Sequence, residues 1–510
     1  MPDVFNLKNC YLKIISYLNH VNAMKETVIR KYKRITNLLA LVSLGFMVQT
    51  SLADDLPDLG SSDRAVFSQS QEAALSKSYM QQLRASGKVI EDPIDRQYIN
   101  DLGMRLVAAN GQENNGHFYF FFMASPQINA FAGPDGYIAI YSGLMLATSN
   151  EEELASVMAH EIAHVLQGHI ARKIADASKQ KYKTLAGMLA AIALGTVSGE
   201  AAEAALLTTV AGSQQSMLNF SRQMEEEADR VGIRLLANAG YDPNSMPAFF
   251  TKLENNERYY MKVPQLLSDH PLTPNRIADA ENRAAQYPAR HHKTPQDYYL
   301  IKERLRVIAT ANPHDILNYY QQLLQKKNIK QRYAVEYGYA LALQNNQEFS
   351  KALTLMKQLI KNYPEQIIFQ LGAADIAADA QKPELALPII ENTYALYPDS
   401  YPVMVEYAYV LFVAKAYQKA LDILREHRLD YPNDPIPYSL VARVQAKAGL
   451  LAQAYQTRAA YLVEYGNLPA ALAQLQVALK LPKLTTEEKA KINAQIKNIR
   501  QQLSNGKSNQ

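Results

Sequence analysis

The sequence predicts an α+β protein that is mostly α: a small sheet beside a histidine-bearing helix, followed by an all-α superhelix. Three observations predict it. Aromatic and β-branched residues crowd into HFYFFFMAS (117–125) and INAFAGPDGYIAIYSGL (128–144). A long helical run, SNEEELASVMAHEIAHVLQGHI (149–170), follows them. Beyond about Thr294 the chain repeats itself with a period of about 34 residues.

With 510 residues, 48% of them hydrophobic and 20% charged, the chain is long enough for two or three globular domains. Residues 1–53 read as a secretory signal peptide. From Met24 they carry Lys25, Arg30, Lys31, Lys33 and Arg34, then NLLALVSLGFMV, then TSLAD with Ser51 and Ala53 as a small-residue cleavage signal. Cleavage after Ala53 makes Asp54 the first mature residue, and the 23 residues before Met24 fit a start at Met24. The unbroken apolar run Leu38–Val48 is 11 residues, against the ~20 of a membrane-spanning helix, so no transmembrane segment is expected in the mature chain. Removing the seven Lys/Arg and two Asp/Glu of residues 1–53 leaves 46 basic and 47 acidic side chains. That near-neutral balance gives no excess of phosphate-neutralising charge and argues against nucleic-acid binding. The single cysteine, Cys10, lies within the signal, so the mature chain has no disulfide. Export of this kind points to the periplasm.

The mature chain opens, from Asp63 to about Gly111, with two amphipathic helices broken near SGKVIEDP, where Gly87 and Pro93 interrupt the period. HFYFFFMAS reads as a buried strand, and 128–144 as two short strands around Gly133, Pro134, Asp135 and Gly136. The next helix takes Ser149 or Asn150 as its cap and Glu151, Glu152 and Glu153 in its first turn, where the helix dipole favours negative charge; it is expected to run to about Lys173. The apolar stretch 184–212, interrupted by Gly195 and Gly199, reads as a hairpin of buried helices, with a flap near the site or a membrane-touching element as alternatives.

In the C-terminal part, Tyr363-Pro364, Tyr397-Pro398 and Tyr431-Pro432 follow one another at a single constant step. The same step links Ala340, Ala374, Ala408 and Ala442, and in parallel Ala352, Ala386, Ala420 and Ala454. Generic Ala-rich helices would not hold three such series in register. The pattern resembles the tetratricopeptide repeat, whose helix-turn-helix units stack into a superhelix with a concave binding face. The clear units span about 333–466, with degenerate ends.

His160 and His164 are four apart, so on a helix they point the same way and can share one cation. Glu161, turned by about 100° from His160, lies beside that cation. This is the HExxH arrangement, in which the glutamate serves as general base toward the attacking water. A catalytic zinc takes three protein ligands, and SRQMEEEADRVG (221–232) is the downstream helix that can supply the third. His169, nine positions after His160, falls on the opposite side of an unbroken helix and reads as a surface or capping residue.

HEIAH followed by SRxxExxAD resembles the M48 metallopeptidases. The resemblance implies one Zn2+ per chain, with Glu225 as third ligand, Asp229 orienting a ligand histidine, and Glu226 and Glu227 as surface or packing residues. Together, signal peptide, M48 core and repeat array resemble the periplasmic members of that family. There a His-Pro loop can place its histidine on the zinc and block the water site, which implies His270 as an inhibitory fourth ligand. The expected organisation is a zincin-type metalloprotease domain over 54–293, with a small sheet and the HExxH helix, and the repeat array over 294–510. Asn129, Ala130 and Phe131 match the family's edge strand beside the cleft, to which an extended substrate can add. Arg276 or a tyrosine is the expected stabiliser of the transition state.

The resemblance further implies unfolded or misassembled outer-membrane β-barrel proteins as clients and the barrel assembly machinery as partner of the repeats. The alternative is a chaperone or assembly adaptor that works through the repeats, with a largely silent zinc site. Without cysteine, the two domains must be coupled by packing alone.

Overall fold

The computed structural model describes residues 69–111, 117–170, 172, 214–260, 264–290, 292–430 and 436–507. The expected signal peptide and the 184–212 stretch lie outside them. Helix α1 (Gln69–Ala85) leads to β1 (Val89–Ile90), α2 (Pro93–Ala108), β2 (Tyr119–Met123), β3 (Ala130–Ala132), a 3-10 turn (Pro134–Gly136) and β4 (Tyr137–Tyr141). The sheet order is β1-β2-β4-β3. Strands β2 and β4 run parallel, with Tyr119 opposite Tyr137, while β1 pairs antiparallel with β2 and β3 antiparallel with β4.

The strands read as continuous apolar runs because both faces of this sheet are covered. Phe121, Met123, Ala139 and Tyr141 pack beneath Tyr79, Met80 and Leu83 of α1. Phe120, Phe122, Ile138 and Ile140 face the main core. The break expected at SGKVIEDP proves to hold a strand: Val89 and Ile90 pair with Met123 and Phe122. Two residues are too few for an alternation to show.

The chain continues through α3 (Ser142–Ala147), α4 (Glu151–Leu166), α5 (Gln214–Asn238), α6 (Ser245–Tyr260), α7 (Gln265–Asp269) and α8 (Pro274–Ala284). Helix α4 is capped by Asn150, whose Oδ1 accepts from Glu153 N at 2.9 Å, while Glu153 Oε2 accepts from Ser149 N. Of the two expected caps Asn150 serves, and Ser149 contributes only its backbone N–H. It ends earlier than expected, because Gly168 takes φ +63 and the helix cannot continue through it.

Helices α9 (Gln296–Ala309) and α10 (Pro313–Leu324) open the array. Four helix pairs follow: α11 (Arg332–Asn345) with α12 (Phe349–Asn362), α13 (Ile367–Asp379) with α14 (Pro383–Leu396), α15 (Tyr401–Val413) with α16 (Tyr417–Asp430), and α17 (Ile436–Lys447) with α18 (Leu451–Glu464). Helices α19 (Leu468–Leu479) and α20 (Thr486–Lys507) close it. All eight alanines of the two repeating series are buried, where only a small side chain lets paired helices approach. The period extends to the backbone: Gln347, Gln381, Lys415 and Gly449, one per unit at the same step, all adopt positive φ in the turn within a pair. This is the α+β, mostly α architecture expected.

The sheet-bearing part and the array share one core cluster that runs from Ile90 to Val444. Packing is not the whole of the coupling. The Arg304 guanidinium of α9 reaches to α2, where its Nε donates to Asp95 Oδ1 at 3.0 Å and its Nη2 pairs with Asp92, the residue that caps that helix. Its Nη1 donates to Tyr337 Oη of α11 at 2.7 Å. Near the far end of the array, Gln81 of α1 donates from Nε2 to the Val463 carbonyl at 2.7 Å. Among the described residues no helix is long and apolar enough to cross a membrane.

Candidate metal centre

Helix α4 is buried from Leu154 to His164. Its approach to α5 is close because Gly232 sits at the crossing; a Cβ there would stand 2.8 Å from Met246 Cε and 3.2 Å from His160 N. Glu225 and Asp229, two turns and one turn before Gly232, therefore face the α4 histidines. Helix α7 delivers the fourth group: Leu266 N donates to Ile128 O at 3.0 Å, and Asn129 Nδ2 donates to Asp269 Oδ2 at 2.8 Å, which places His270 over the cluster.

The structure brings together His160, His164, Glu225 and His270, with one donor atom of each lying within 4.8 Å of the others. His160 Nε2 is 3.0 Å from His164 Nε2, 3.3 Å from His270 Nδ1 and 3.4 Å from Glu225 Oε2. His164 Nε2 is 3.4 Å from Glu225 Oε1, and His270 Nδ1 is 3.1 Å from it. A tetrahedral ion with ligand bonds of ~2.0–2.1 Å spaces its donors about 3.4 Å apart. The quartet matches that spacing, and three imidazoles with a carboxylate are the donor types a divalent metal takes.

Around the quartet, Asp229 Oδ1 lies 3.0 Å from His160 Nδ1, the nitrogen turned away from the donors. Arg276, buried, grips Asp229 with Nε at 2.7 Å and Nη2 at 2.8 Å. Its Nη1 lies 3.1 Å from Glu225 Oε2 and donates to Pro271 O at 2.8 Å. The guanidinium expected to stabilise a transition state thus directs its donors to the carboxylates and the His270 loop. Glu161 is fully buried beside the quartet, 3.5 Å from His270 Nε2, with the Ala132 backbone also favouring its charged form. Burial raises its pKa, against the opposing pull of His270 and His160. Burial would raise Glu225 as well, but His270 and His164 hold it well below the usual carboxylate range. Burial also works against the ionised form of Asp229, yet His160 and Arg276 hold its pKa down.

His169 departs from expectation. It is buried, with Nδ1 2.7 Å from His164 Nδ1 and Nε2 3.3 Å from Glu227 Oε2. Counting about 100° per residue through Gly168 misplaced it, because the chain turns there. A glycine between two histidines was the one available signal. Glu227, expected at the surface or in packing, is half-buried and also accepts from Arg172 Nη2 at 3.1 Å, whereas Glu226 is exposed.

Asn129 and Ala130 are buried, and Phe131 packs edge-on against Tyr79 and Tyr141. Strand β3 forms the sheet edge beside α4. A small cavity of about 20 Å3 lies between His160, Phe250, Leu266, His270 and Arg276, room for little more than one water.

A buried glutamate set beside clustered histidines on one helix, next to a sheet edge, is the equipment of a metalloendopeptidase, and that is the class of this protein. The profile of peptidase family M48 matches residues 93–284, and that of the tetratricopeptide repeat matches 377–444. The chain is 36% identical over 447 residues to the beta-barrel assembly-enhancing protease of Yersinia pestis, covering 88% of this chain and 92% of that protein. It is 34% identical over 480 residues to the protein of the same name from Escherichia coli strain K12, covering 92% and 97%. To the putative beta-barrel assembly-enhancing protease of Vibrio cholerae it is 34% identical, covering 87% and 91%. The chain belongs to the M48 metallopeptidases with a C-terminal tetratricopeptide array.

Proposed function

We propose that this protein is an exported, periplasmic zinc endopeptidase that acts in outer-membrane β-barrel assembly and degrades misassembled barrel proteins. Its domains are the protease over 54–293, after cleavage of the signal at 1–53, and the array over 294–510, which engages clients and the barrel assembly machinery. The names of its relatives support the setting. The observation that carries the reading is the four-donor cluster with the fully buried Glu161 beside it.

His160, His164 and Glu225 hold one Zn2+, and His270 is a fourth, inhibitory ligand. Zinc, when bound, supplies Lewis acidity toward a peptide carbonyl and toward water. Glu161 takes the proton of the attacking water and passes it to the leaving amine. Asp229 orients His160, and Arg276 holds Asp229 and Glu225 in place. Ala130 and Phe131 of the edge strand, with Asn129 at its start, offer backbone groups to an extended substrate, which gives affinity without a sequence requirement.

His270 adds a condition: as a fourth ligand it closes the position that the attacking water needs and must leave it before cleavage. His270→Ala is therefore expected to cleave an unfolded barrel protein several-fold faster than the wild type while retaining about one zinc per chain. Cleavage assays on the purified mature protein, paired with elemental analysis, decide it. Equal rates would remove His270 from gating. The same closure favours a second reading, an assembly chaperone with a silent site, which stands if wild type and variant both bind zinc and client but neither cuts.

A further inference from the structure

The quartet leaves one buried constellation unexplained, at the other nitrogen of His164. His160 is backed by a carboxylate, Asp229. His164 is backed by a second imidazole: the two Nδ1 atoms lie 2.7 Å apart, and His169 is 2% exposed.

Counting protons fixes the arrangement, given the proposed metal site on which it rests. A neutral His164 that ligates through Nε2 carries its hydrogen on Nδ1. Two nitrogens this close share one hydrogen, because two would collide and none would set lone pair against lone pair. His169 Nδ1 is then the acceptor, and its own hydrogen sits on Nε2, which faces Glu227 Oε2 at 3.3 Å. Arg172 steadies that carboxylate from 3.1 Å and ties back to the Gln167 carbonyl at 2.7 Å, closing the turn that Gly168 opens. Every donor in the chain from Glu227 to His164 Nε2 meets an acceptor.

We infer that His169, held by Glu227, is a positioning residue that fixes the tautomer and orientation of His164 for metal binding. The imidazole lengthens the reach of the carboxylate: Glu227 does through His169 what Asp229 does directly for His160. Partners of this kind commonly contribute about 10- to 100-fold in metal affinity.

The test is zinc affinity of the purified full chain by competition with a chromogenic chelator, for the wild type, His169→Leu and His169→Gln. Melting of the metal-stripped proteins is measured alongside. Leu keeps the bulk and removes the acceptor; Gln restores a carbonyl oxygen that can accept. The expected result is about 10- to 100-fold weaker affinity for His169→Leu, with most of the loss recovered in His169→Gln. Wild-type affinity in His169→Leu overturns the inference. So do two variants that are equally weak, which would assign His169 to shape alone. A wild-type chain that binds no zinc in the same assay instead overturns the metal reading beneath it.

Discussion

Replacing Glu161 by Gln is expected to slow proteolysis by a factor of about 10^2–10^4 without loss of bound metal. Glu161 is fully buried beside the donor cluster. Such a group is retained against the desolvation cost of its charge. Burial raises its pKa above that of a free carboxyl, which brings it nearer to the range where a base can both take a proton and return it. The amide has the same shape and cannot take the proton. It also removes a buried charge, so the variant should fold at least as stably as the wild type. Single-turnover cleavage with metal analysis is the measurement. Metal loss in step with activity would make Glu161 a ligand instead of the base.

The second large effect lies outside the site. Arg304→Leu is expected to destabilise the protein by about 3–5 kcal/mol at pH 8, where Asp95 is ionised beside its partner and the substitution strands that buried charge. Asp95 is fully buried, and only one of its oxygens is bonded, to Arg304. Burial pushes its pKa up to about 7 even though Arg304 pulls against it. A free aspartate titrates near ~3.9. Between these values the folded chain keeps a proton that the unfolded chain has released. The contribution of Asp95 to stability is therefore full below about pH 4 and falls as the pH rises toward 7. Without Arg304 the folded pKa climbs higher, so the decline extends further. Denaturant melts at pH 5 and pH 8 should show the gap between wild type and variant widening with pH. A gap of equal size at both would mean that the Arg304–Asp95 contact is not felt.

Much of this molecule could be read before folding. The two alanine series and the Tyr-Pro step revealed the array, because a stacked repeat imposes the same packing requirement once in every unit. The ligand spacing on α4 was equally open, since an i, i+4 pair needs only a helix. Strand β1 was not legible, because two residues have no period. His169 was misread because the rule for reading a helix holds only while the helix lasts, and Gly168 ends it. The bridge at Arg304 joins residues 209 positions apart, and nothing in a single sequence pairs an arginine with so distant an aspartate. The sequence suggests Arg276 only as a stabiliser of the transition state, because its grip on Asp229 depends on how α8 crosses α5.

The bond from Gln81 to Val463 spans 382 positions, and that span bears on how the chain reaches its native state. The chain emerges from its N-terminus, and contacts of long sequence separation form slowly because loop closure must come first. Helix α1 lies among the first described residues, yet its last partner arrives with the last clear repeat. The metal-site helices α4 and α5 lie wholly upstream of the array. They can assemble before the partners of α1 in the last clear repeat, Val463 and Glu464, have been made.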